Sequence, residues 1–140
     1  MLDAERINRK LTDLEQYKER LEGFAPKDLK SYLKSDSILK SAVERHLQLI
    51  SDLELDISAL LYKGLELKLS GDDESVLDGL KDRLGKNLVE KIDNRRKLRN
   101  SLVHAYIDSN YDKEVFEQSH DMGDLRDFGR EVRKIVKDHA

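Results

Sequence analysis

The sequence predicts an all-α protein, an up-and-down antiparallel bundle of four main helices joined by short helices and connectors. Three observations predict it. Hydrophobic residues (38%) and charged residues (39%) are nearly balanced while aromatic residues make up only 6%, so helix formers dominate and sheet formers are scarce. Seven glycines and one proline punctuate 140 residues, which leaves long stretches without a helix breaker. Within those stretches apolar residues recur three and four positions apart, the period of a helix that buries one face. A chain of this length is expected to form one domain over 1–140 and to close its core without disulfides or a structural metal.

The first helix is predicted over 4–22, where Ile7, Leu11, Leu14 and Leu21 share a stripe with Tyr17 beside it. "GFAPKD" ends it, because Gly23 is a good helix stop and Pro26 disfavours helical backbone at Ala25. A short turn over 27–34 leads to "SDS", in which Ser35, Asp36 or Ser37 can cap the next helix. That second long helix is expected over 38–69, and its stripes (Val43, Leu47, Ile50, Ile57, Leu61) are broad enough for a central helix packed on more than one side. "SGDDES" then makes a loop with caps for a short helix over 75–84, and Gly85 marks a break. The third long helix is predicted from 86 to 106 or 107. "DSNYD" connects it to a last helix over 113–137, which Gly123 bends or splits.

Several function classes are excluded or disfavoured by composition. No cysteine is present, so disulfide frameworks and thiolate zinc sites are absent. His46, His120 and His139 lack partners at ligand spacing, and neither a metal nor any cofactor is expected. "MLDAERINRK" has no apolar segment of the signal-peptide kind, and no run approaches the ~20 apolar residues of a membrane span. A cytoplasmic location with no membrane partner is the expectation. A net charge of −3 argues against binding nucleic acid through bulk charge, so any such contact must come from a local patch.

The third long helix contains an anomaly in "RRKLRNSLVHAY". At about 100° per residue, Leu88, Ile92, Leu102, Val103 and Tyr106 define an apolar stripe, yet Arg95 and Arg99 fall about 20° either side of its origin at Leu88. Burying an unpartnered guanidinium costs several kcal/mol, since its charge and its donors all lose water. An acidic partner on a facing helix, a solvated cleft or a second chain must offset that cost. Arg96, Asn100 and His104 lie on an adjoining edge. Together these side chains can act on a phosphodiester: histidine moves protons near neutral pH, and arginine binds phosphate and stabilises charge growing on it. RNA brings its own nucleophile, the 2′-hydroxyl. The preceding "KDRLGKNLVEKIDNRRKLR", in which basic residues outnumber acidic ones, offers local phosphate affinity.

"RNSLVHAY" resembles the R-x-x-x-x-H-x-Y signature of the HEPN superfamily, specifically its HepT-like toxins, with Arg99, Asn100, His104 and Tyr106 in the motif positions. "AVERHLQLISDLELD" is similar to the family's A-V-E-R-x-L-Q segment, with Glu44, Arg45 and Asp56 in matching places and His46 where an apolar residue is usual. The resemblance implies a homodimer in which two copies of this helix meet across a cleft, and a metal-independent endoribonuclease with Arg99 and His104 catalytic and Asn100, Arg96 and Arg95 in support. It also implies an MNT-type nucleotidyltransferase antitoxin that silences the toxin by transferring AMP from ATP to Tyr106. Glu44 and Asp56 are expected as structural partners, for Arg45 or for an interface arginine. Two other readings compete: a non-catalytic helical dimer that serves a nucleotidyltransferase as binding partner, and a purely structural bundle in which Arg99 is paired by a carboxylate of its own chain.

Overall fold

The computed structural model describes residues 1–67, 71–104 and 111–139. Eight helices form among them: α1 Ala4–Phe24, α2 Leu29–Lys34, α3 Ser37–Gly64, α4 Asp73–Gly79, α5 Lys81–Leu84, α6 Lys86–His104, α7 Asp112–Ser119 and α8 Asp124–Asp138. Aspartates start four of them by accepting a hydrogen bond from an otherwise orphaned amide: Asp3 from Arg6, Asp28 from Ser31, Asp36 from Leu39 and Asp72 from Ser75. Of the three caps open to α3, Asp36 is the one used, at 2.9 Å.

α1 packs on α3, α3 on α6, α6 on α8 and α8 back on α1, closing a four-helix ring. Lys10 meets Asp56 near one end of the α1–α3 pair, while Tyr17 and Phe24 meet His46 toward the other, so these two helices run antiparallel. Ile7, Leu11, Leu21, Ile50, Ile57, Leu61, Ile92, Phe128 and Val132 are almost wholly buried between the four. Each such side chain contributes about 1.5–3 kcal/mol of burial. Among the described residues no helix is long and apolar enough to cross a membrane.

Three boundaries differ from expectation. α3 ends at Gly64 rather than near 69, because Glu66 adopts φ 56°. With it come the two backbone bonds of a Schellman stop, Leu67 N–H to Tyr62 O and Glu66 N–H to Lys63 O. A glutamate in the place glycine usually takes hides this stop from a sequence reading. The expected 75–84 helix is divided at Leu80 into α4 and α5. α1 runs through Gly23 to Phe24, with Ala25 as its C-cap, instead of stopping at 22. The last helix is split as expected, α7 ending at Ser119 and α8 beginning after Gly123. The end of the third long helix at 106 or 107 lies outside the described residues.

Gly85 does require its residue type. With φ 93° and ψ 146° it turns the chain between α5 and α6 in a region that side chains rarely adopt. The turn lays α4 and α5 against the first half of α6, where they cover Val89. Val103, on the predicted stripe, is 52% exposed.

Candidate functional site

Arg95 and Arg99 stand one turn apart on α6 and meet two carboxylates of α3. The inner pair is buried. Arg95 Nη1 donates to both oxygens of Glu54 at 2.9 and 3.0 Å, and its Nη2 donates to the Asp121 carbonyl at 3.1 Å and to Asp124. Burial pushes the Glu54 carboxyl up to about 7, against the pull of Arg95 and with the repulsion of Asp124 behind it. Burial likewise opposes the Arg95 charge, but Glu54 and Asp124 outweigh it, so this guanidinium holds its proton more tightly than usual. The supporting role expected of Arg95 at a phosphate therefore gives way to an internal one. Its donors face the core and the α7–α8 break.

The outer pair lies at the surface. Arg99 Nε stands 2.8 Å from Asp52 Oδ1, with about a third of each side chain exposed. Arg99 Nη1 also donates to Asn100 Oδ1 at 3.0 Å. Arg96 is engaged within its own helix, its Nε and Nη2 reaching Asp93 Oδ1 at 2.9 and 2.7 Å. His104 is exposed at the last described residue of α6. Tyr106 lies outside the described residues.

The sequence-predicted residues thus divide. Arg99 and Asn100 are brought together, Arg96 and His104 lie on the neighbouring edge of the same helix, and Arg95 belongs to the core. Asp56 pairs with Lys10 at 3.3 Å, and Glu44 lies in the field of Lys40 and Asp112, so neither meets an α6 arginine among the described contacts. Arg45 donates instead to Gln48 at 3.5 Å. The remaining histidines each give a ring N–H to a backbone carbonyl: His46 to Ala42, His120 to Pro26 and His139 to Ile135.

Two carboxylates, Glu54 and Asp52, were missed by sequence reasoning. A signal for Glu54 was present, since it interrupts the stripe between Ile50 and Ile57 at helical spacing, the mirror image of the misplaced arginines. Asp52 carried no such signal, being a charged residue at a half-exposed position.

Chemically, the outer cluster presents a guanidinium paired with Asp52 and bonded to Asn100, with an exposed imidazole five residues further along the same helix. That combination binds an oxyanion and moves a proton. An all-α ring of helices with this Arg-to-His spacing near the end of α6 is the HEPN-like class of bundle. The model of the family described as Ribonuclease HepT-like matches residues 14–135, and the chain belongs to that family. Two solved structures share the fold. A cytosolic protein of unknown function, YutE from Bacillus subtilis, superposes with a TM-score of 0.79 at 18% identity, covering 99% of this chain and 93% of that one. A structure described as a toxin–antitoxin with AMP-PNP gives 0.76 at 20% identity, covering 94% and 97%. No curated protein matches the sequence.

Proposed function

We propose that this chain is the toxin of a toxin–antitoxin pair, a cytoplasmic endoribonuclease that acts as a homodimer. The observation that carries the reading is the part-exposed Arg99, held by Asp52 and Asn100, with His104 exposed five residues further on toward the same end of α6. Family membership supports RNA as the substrate. In this reading Arg99 binds the phosphate and stabilises the extra charge of the pentavalent transition state. His104 takes the proton of the 2′-hydroxyl, the 2′-oxygen bonds to phosphorus, and the bond to the 5′-oxygen breaks. The departing oxygen receives a proton from water or from the His104 of a second copy. Exposed Val103, next to His104, gives the facing helices an apolar contact, and two-fold symmetry then joins two Arg99–His104 sets in one groove. Arg96 adds positive charge at its edge.

The similarity to a toxin–antitoxin structure holding AMP-PNP supports an MNT-type nucleotidyltransferase as the antitoxin, with Tyr106 as acceptor of AMP from ATP. Expressing the wild-type chain alone should arrest growth and cleave RNA, and Arg99→Ala or His104→Ala should abolish both. Abundant folded wild-type dimer in normally growing cells with intact RNA would overturn the reading. Incubation with ATP and the cognate nucleotidyltransferase should add AMP to the wild type and not to Tyr106→Phe.

One observation favours a second reading, the purely structural bundle in which Arg99 is paired by a carboxylate of its own chain. Arg99 already has a counter-ion in its own chain. Under that reading His104→Ala leaves function unchanged.

A further inference from the structure

We infer that Asp52 is a positioning residue, which holds Arg99 in the geometry needed to receive the scissile phosphate; the inference rests on the ribonuclease reading. Two neighbouring pairs join α3 to α6, and they differ in kind. Glu54 and Arg95 are buried and lock the helices together. Asp52 and Arg99 are each about one-third exposed, and a pair so wetted contributes little to stability. Its effect is geometric.

Arginine has a long side chain with many rotamers, and catalysis requires its fork to wait in one of them. Asp52 Oδ1 stands 2.8 Å from Nε, the nitrogen nearest the chain, as an ion pair, and Asn100 Oδ1 takes one Nη1 hydrogen at 3.0 Å. Drawn toward Asp52 on one side and bonded to Asn100 on the other, the guanidinium is oriented, and among the described residues no hydrogen bond or ion pair falls on Nη2 or on the rest of Nη1. Those hydrogens form the fork that meets two phosphate oxygens. A carboxylate at the far end of that fork would compete with the substrate for it. One beside Nε draws the group to that side by charge and lies away from the fork.

The negative charge of Asp52 has a second effect, since it stands near the place where the anionic substrate binds. It therefore opposes ground-state binding even as it orients the group that stabilises the transition state. Removing it should lower turnover without weakening affinity, a split that loss of a merely structural contact does not produce.

The test is steady-state cleavage of an RNA oligonucleotide by the wild type, Asp52→Ala and Asp52→Glu, with thermal melts of each. Asp52→Ala is expected to cut kcat by ~100-fold with KM no higher than wild type. Its melting temperature should stay within ~4 °C of wild type. Asp52→Glu, which keeps the carboxylate on a longer stem, should recover part of the loss. Wild-type turnover in Asp52→Ala, a raised KM with unchanged kcat, or no recovery in Asp52→Glu would overturn the inference while leaving the ribonuclease reading intact. A folded wild type that cuts no RNA would overturn that reading first and this inference with it.

Discussion

Replacing Arg95 with methionine removes the cation from between Glu54 and Asp124 and keeps a side chain of comparable reach. Glu54 is fully buried and Arg95 only 4% exposed, so neither carboxylate nor guanidinium has water to fall back on. Breaking a buried pair by deleting one partner costs about 3–5 kcal/mol, because a charge is left uncompensated. In a chain of this size each kcal/mol moves the melting temperature by roughly 3–4 °C. A fall of roughly 10–20 °C is expected for Arg95→Met at pH 7.5, followed by circular dichroism. The loss should depend on pH. Burial raises the Glu54 carboxyl from 4.5 to about 7, so the folded state favours its protonated form. That preference is fully expressed below pH 4.5 and is lost as the pH rises through 7. Without Arg95 the carboxyl rises further, and the gap between variant and wild type should narrow from pH 7.5 to pH 5. Adding Glu54→Leu removes the orphaned charge and should recover part of the stability. A melting temperature within ~3 °C of wild type, a gap that widens on acidification, or no recovery in the double variant would refute this account of the inner pair.

Three further outcomes follow from the same structure. Gly85→Ala places a Cβ at φ 93° and should cost ~1–3 kcal/mol, read as a lower melting temperature with the fold retained. Asp36→Ala deletes the cap of α3 at Leu39 and should cost ~0.5–2 kcal/mol in urea titration without changing the slope of the transition. Arg99→Ala, at a half-exposed position, should shift the melting temperature by less than ~4 °C while abolishing toxicity and RNA cleavage, the reverse of the pattern for Arg95→Met.

The bundle was legible because its signals are local: apolar period, aspartate caps, and breaks at Gly85 and Gly123. The stop of α3 was not, because Glu66 enters the left-handed region without the glycine that announces it. The site was legible only in part. Arg95 and Arg99 hold nearly equivalent angular positions on one helix, and nothing within α6 separates a core arginine from a surface one. What separates them is their surroundings: Glu54 and the α7–α8 break for the first, Asp52 and open solvent for the second. Periodicity within a segment does not encode which segments meet.

Arg95 also bears on how the helices find their alignment. It bonds to α3 through Glu54, to the α7–α8 connector through the Asp121 carbonyl, and to α8 through Asp124. Sliding α6 one turn along α3, ~5.4 Å, would carry Lys91 or Arg99 toward Glu54, so a pair between two helices alone would tolerate the slip. A dowel driven through three parts does not. Any shift of α6 against one neighbour pulls Arg95 out of the others, and the outer arginine is thereby delivered opposite Asp52 and nowhere else along the helix.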